Sequence, residues 1–261
     1  MSRIVRRLLH VLALPALLAC LWWLGSRGSQ SIYAPPLSTI LSVTDDVWTT
    51  QRLTGDVLPS LLRMVGGYGL AALVGIGLGV LIGTYRAARA LTEPVLEFFR
   101  AVPPPVLIPV IMLFAGIGDT MKVTVIAAGC VWPILLNTVE GVRAVDGVLA
   151  ETSRSYGITG VARLRHLVLP AAAPQIFAGL RQALSVGIIL MVISEMFAAS
   201  NGLGFTIVQF QRSFAIPEMW SGILLLGTIG FLLSVVFQAV ERRSLAWYHG
   251  LRASKGSGRA V

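Results

Sequence analysis

The chain has 261 residues, 55% of them hydrophobic and 13% charged, with a formal net charge of +9 and a mean hydropathy of +0.78. That balance excludes a soluble globule and describes a polytopic membrane protein. The excess charge does not mark a nucleic-acid surface, because Lys and Arg cluster at the ends of apolar runs and form no basic face.

Arg3, Arg6 and Arg7 precede an apolar run from Leu8 to Gly25. The run continues through Trp22, Trp23 and Leu24, past the small residues of a leader-like cleavage box at Ala19-Cys20. It therefore predicts a retained first transmembrane helix, N-terminus inside and the tryptophans at the far interface. Residues 26–52 are rich in Ser, Thr and Pro and too polar to span. They predict an outside loop with a short helix near 37–50.

The second span is expected over 56–83. Gly67, Ala71, Gly75, Gly79 and Gly83 recur every fourth residue, leaving one helix face as nearly bare backbone, which in lipid is a packing seam. Gly75, Gly77 and Gly79 miss the G-x-G-x-x-G spacing, and no G-x4-G-K-[ST] occurs in the sequence. A chain of this kind is not itself an ATP-hydrolysing enzyme; any ATP belongs to a partner.

Arg86 and Arg89 mark a short inside turn before a third span, 91–116. Pro103, Pro104, Pro105 and Pro109 interrupt its hydrogen-bond ladder. Within a membrane such a break needs protein or a water-filled cavity to satisfy the backbone. It reads either as a bend lining a path or as a packing kink. A turn at Gly116–Asp119 leads to the fourth span, 121–139, with Trp132, Pro133 and Asn137. The fifth, 175–198, contains Gln182, Ser185, Ser194 and Glu195. Outside segments follow to Pro217, then the last span, 218–240. Cys20 and Cys130 both fall in apolar runs and are expected as free buried thiols.

The fold class predicted is all-α, with six transmembrane helices and both termini cytoplasmic. Residues 1–55 form the N-terminal helix and outside loop, 56–245 a core of five spans, and 246–261 a basic cytoplasmic tail. On this topology all of the 21 Lys and Arg except Arg27, Arg52, Arg63, Lys122 and Arg212 lie inside or at inner helix ends, as the positive-inside rule requires.

Between the fourth and fifth spans lies an ordered loop, residues 146–170. Asp146 is placed to cap a helix, since its carboxylate can accept from first-turn N–H groups. Val148, Leu149, Thr152 and Tyr156 then share a face. Gly157 stands where positive φ is wanted. Thr159 begins a second short helix, which Pro170 is expected to stop, with Pro174 opening the next.

Glu151, Gly157 and Leu167-Val168-Leu169-Pro170, at this spacing and between two spans, resemble the "EAA" signature of ABC-importer permeases. The two alanines of the name are Thr152 and Ser153 here. Leu96–Pro104, Pro133–Arg143 with Asn137 and Gly141, and Ser194-Glu195-Met196 with Gly202-Leu203-Gly204 are similar to the sulfonate, taurine and nitrate branch. The resemblance implies a type I importer permease of the prokaryotic inner membrane, usually a homodimer. It implies cytoplasmic ATP-binding subunits, an extracytoplasmic substrate-binding protein and a small anionic cargo such as a sulfonate, nitrate or organic carboxylate. It assigns Glu151, Thr152, Ser153, Tyr156, Gly157, Leu167, Leu169 and Pro170 to a coupling helix that meets the ATPase.

Pro103, Pro104, Asn137 and Glu195 are the candidates for a translocation path or gate. Glu195 is the one acid well inside the fifth span, and it must face protein or water. It either borders a cavity or accepts hydrogen bonds from loop backbone near Asn201-Gly202. No H-E-x-x-H, C-x-x-C or G-x-S-x-G occurs, so no catalytic, metal or cofactor site is expected. A secondary carrier, a channel and a polytopic membrane enzyme are the alternatives; none of them needs an ATPase docking loop.

Overall fold

A computed structural model describes residues 3–29, 31–197 and 199–248. The basic tail expected at Arg252, Lys255 and Arg259 lies outside them. The described chain is helical: α1 (Arg3–Ser26), α2 (Leu37–Val47), α3 (Thr50–Thr84), α4 (Arg86–Ala101), α5 (Ile108–Ala115), α6 (Asp119–Arg143), α7 (Gly147–Ser155), α8 (Gly160–Phe197), α9 (Leu203–Arg212) and α10 (Ile216–Ser244).

Helices α3, α6, α8 and α10 are each long and apolar enough to cross a membrane. The expected third span is not one straight helix. Val102 and Pro103 adopt extended backbone, and the helical pieces on either side, Ala87–Phe99 and Pro104–Ala115, meet at 88°. Counting that pair as one span gives five among the described residues, against the six expected. The bend has a local cause: proline supplies no N–H, and the residue before it is driven out of helical conformation. In α1 the apolar stretch among the described residues is Leu17–Ser26.

The glycine seam of α3 lies against α6. A Cβ built at Gly67 falls 2.7 Å from Ile126 Cβ, at Gly79 2.6 Å from Thr138 Cβ, and at Gly83 2.7 Å from Val142 Cβ. Absence of side chains lets the two backbones approach, and van der Waals contact replaces the hydrophobic effect as the source of association in lipid. Ala71, Ile126, Cys130 and Ile134 are buried there together with Ala183, Leu190 and Met191 of α8. We predict that Gly79→Leu lowers the yield and melting temperature of detergent-solubilised protein, at a cost of roughly 1–3 kcal/mol or more. Gly69→Leu is the control, because a Cβ there meets nothing within 4 Å. Equal melting of both variants would place the seam elsewhere.

Proline does not stop the helix at Pro170, contrary to the expectation. Helix α8 runs unbroken from Gly160 to Phe197. Just before Pro170 the turn Leu164–Val168 widens to π form, and Leu169 N–H bonds to Leu164 O. The same device precedes Pro59: Leu53–Val57 is π-helical and Leu58 N–H bonds to Leu53 O. A wider turn gives the ring room where it would otherwise collide with a carbonyl one turn back.

The N-terminal elements clip onto the start of α10. Trp22 packs edge-on against Trp220 at 5.5 Å, and the Trp48 indole donates to Ser221 Oγ at 2.9 Å. Cys130 is buried and free as expected. Cys20 is free but exposed.

Candidate functional site

At one end of the bundle, α7 stands out from the chain as a capped helix. Asp146 Oδ1 accepts from Leu149 N–H at 3.1 Å, as the sequence requires. At the other end, Gly157 N–H donates to Arg154 O at 2.9 Å and Ile158 N–H to Ser153 O at 2.8 Å. This 5→2 and 6→1 pair is the Schellman closure. It needs the φ of +70° that Gly157 adopts. Thr159 does occupy the N-cap of α8, but its side chain makes no capping bond.

Ser153 turns inward and is buried. Glu151 and Thr152 face out, and so do Val148, Leu149 and Tyr156, the last 79% exposed. The apolar face that helical spacing assigned to α7 thus finds no partner within the described chain. Leu167, Leu169 and Pro170 are half-buried. Leu169 packs with Leu164 against Val142, Val168, Ala172 and Ile176, so the first turns of α8, just after the elbow, are anchored to α6.

The opposite end of the same helices holds a buried charge network. Arg63 of α3 donates from Nε to Asp119 Oδ1 at 2.7 Å, from Nη1 to Glu195 Oε1 at 2.8 Å, and from Nη2 to Asn201 Oδ1 at 2.7 Å. Glu195, 1% exposed, also accepts from Ser60 Oγ at 2.7 Å and from Gly204 N–H at 2.9 Å. The carboxylate thus holds the backbone of the loop that leads into α9. This arrangement explains the glycines of the Gly202-Leu203-Gly204 motif. Gly202 has φ +123°, and a Cβ there falls 2.5 Å from the Glu195 carboxyl carbon. At Gly204 it would meet Val192 O at 2.6 Å. A side chain at Gly202 would push the carboxylate out of reach, and one at Gly204 would collide with the backbone of α8.

Between the two ends runs a polar stripe. Asn137 Nδ2 on α6 donates to Gln182 Oε1 on α8 at 3.1 Å. Gln175, Gln182 and Ser185 are exposed on the same helix in the single chain. Their spacing of seven and three is legible in the sequence, but it assigns Gln182 and Ser185 no role, because nothing local says where that face points. Pro103 is exposed, whereas Pro104 is wedged toward α6 and α8, 3.1 Å from where a Gly129 Cβ would stand. The structure brings Asn137 to Gln182. Glu195 is bonded into the network at the far end. Among the described residues no His, Cys, Asp or Glu cluster could hold a metal ion.

Residues 75–245 match the family described as "Binding-protein-dependent transport system inner membrane component". The chain belongs to that family. Two curated relatives align over nearly their whole length. A probable ABC transporter permease protein of Brucella melitensis is 32% identical over 87% of this chain and 92% of its own. The taurine transport system permease protein TauC of Escherichia coli is 29% identical over 89% of this chain and 87% of its own. The MetNI methionine ABC transporter, solved in an inward-facing conformation, shares the fold. Its TM-score is 0.61 at 21% identity, covering 74% of this chain and 95% of that one. The permease is thus a multi-pass inner-membrane subunit of a binding-protein-dependent importer, with the type I fold.

Proposed function

We propose that the permease carries a small anion, such as a sulfonate, nitrate or organic carboxylate, through a homodimer driven by cytoplasmic ATP-binding subunits. An extracytoplasmic binding protein delivers the cargo. The taurine relative and the branch motifs support the cargo class. The observation that carries the coupling role is α7: a helix capped at both ends, fixed to the bundle at its base, with an outward apolar face. Glu151, Thr152, Tyr156 and Gly157 form the contact and its elbow; Ser153, Leu167, Leu169 and Pro170 anchor it.

Pro103, Pro104 and Asn137 belong to the path, and we add Gln182 and Ser185. Amide and hydroxyl groups within a span cannot face hydrocarbon without losing their hydrogen bonds. A second copy set against this stripe would enclose a polar channel of neutral donors. Such donors bind an anion weakly enough for it to leave. Glu195 serves the gate only by holding the loop beside it. The core spans 56–245, preceded by the helix and outside loop of 1–55 and followed by the tail at 246–261.

Orientation follows the basic residues: both termini and α7 lie in the cytoplasm. Reporter fusions after Thr44 and Asn201 should read outside, and those after Arg89 and Ser155 inside. The ATP-binding subunit should co-purify with the chain through α7. An outside signal at Ser155, or no retention of the ATPase, would overturn the reading.

A further inference from the structure

We propose that the cleft between α7, the start of α8 and the inner ends of α3 and α6 binds the phosphate headgroup of an anionic phospholipid. Its volume is about 730 Å³. Val80, Leu81, Val142 and Val168 make an apolar floor, and Arg154 and Arg163 stand over it. Arg163 Nε is buried and has no hydrogen-bond partner. A guanidinium nitrogen withdrawn from water without an acceptor is costly, and such an atom in a native fold calls for a missing partner. Among the described residues neither arginine pairs with a carboxylate, although Arg63, Arg89, Arg143 and Arg181 all do.

The chemistry selects the occupant. Guanidinium groups form paired N–H bonds to phosphate oxygens. The floor is built from the last turns of α3 and α6 and from Val168 near the start of α8, the ends of three apolar helices, and on the proposed orientation this puts both arginines at the level of the inner headgroups. An acidic segment of the ATPase would satisfy the arginines but leave the floor unfilled. A phospholipid satisfies both, and on the proposed orientation it comes from the inner leaflet, where anionic headgroups gather basic segments. Held there, it would wedge the base of α7 against α3 and make the stiffness of the elbow depend on lipid charge. This last step rests on the coupling role proposed above; the binding itself does not.

The test is native mass spectrometry of the full chain in detergent with added phosphatidylglycerol, phosphatidylethanolamine or inorganic phosphate. Wild type should retain phosphatidylglycerol in preference to phosphatidylethanolamine. Arg163→Gln should weaken retention about fivefold, the effect of one basic contact at a membrane surface. Leu81→Trp, which fills the floor and keeps both arginines, should weaken it too. Arg27→Gln, far from the cleft, should not. Should Leu81→Trp fail to fold, Arg154→Gln replaces it, with the same fivefold loss expected. Equal retention of the two lipids, wild-type retention by Arg163→Gln, or binding of free phosphate with no lipid preference would each overturn the proposal. So would an Arg163→Gln chain that keeps its lipid but releases the ATPase subunit, since the occupant would then be the partner protein. None of these results touches the family assignment, which stands on the aligned sequence.

Discussion

Gly157→Val is expected to abolish binding-protein-stimulated ATP hydrolysis in proteoliposomes that hold the permease, its ATPase and its binding protein, while membrane insertion stays normal. A Cβ at this position meets nothing within 4 Å, so the substitution makes no clash; the whole effect lies in the φ of +70°. A left-handed conformation costs an L-residue about 1–2 kcal/mol, and a β-branched one is the least tolerant. The chain escapes the cost by leaving that conformation. Doing so breaks the bonds from Gly157 N–H and Ile158 N–H to Arg154 O and Ser153 O and turns α7 away from the direction set by α8. A docking helix aimed wrongly transmits nothing, however well the spans fold. Glu151→Ala should give the same loss by removing an exposed charge from the docking face. Gly147→Ala is the control, at a helical position with open space and no positive φ. Wild-type stimulation in both Gly157→Val and Glu151→Ala would show that this elbow does not couple ATP to transport.

Glu195→Ala is expected to give the largest loss of stability of any single change at the other end of the bundle. It leaves Arg63, 5% exposed, with one fewer anion, strips the side-chain acceptor from Gly204 N–H and leaves Ser60 Oγ only the Asp56 carbonyl. Removing one partner of a buried ion pair typically costs about 3–5 kcal/mol, because the other charge stays desolvated. Asp119 and Asn201 still hold Arg63, which places the expected value toward the lower part of that range. Glu195→Gln retains an acceptor for Gly204 N–H and should lose less. A double-mutant cycle with Arg63→Met separates the pair from the loop, since a coupled pair gives a non-additive sum. The readout is thermal unfolding in detergent. Melting of Glu195→Ala at the wild-type temperature would mean that the network does not hold the 199–204 loop to α3.

Local chemistry makes much of this protein legible in its sequence. Apolar runs place α3, α6, α8 and α10, because a span must satisfy its own backbone in lipid and helix is the way a single segment does so. Asp146 and Gly157 announce α7, since caps act within one turn of the chain. The four-residue glycine repeat announces a seam, because that period keeps one face of a helix in line.

What the sequence by itself determined ends where a residue's partner lies far along the chain. It defined the seam but not the receiving helix; only packing set it against Thr138 and Val142 of α6. It offered Glu195 as an acid in need of a partner, but Arg63 stands 132 positions away, and no local pattern ties the two. Gln182 meets Asn137 for the same reason. At Pro170 the sequence signal for a helix end was overruled. A π turn over Leu164–Val168, with Val168 buried against Ala172 and Ile176, lets the helix run through the proline. At Val102-Pro103 the break was legible, yet its 88° angle was decided by the tertiary structure. A proline removes a hydrogen bond and thereby permits a bend, but only the surfaces packed on either side choose its size.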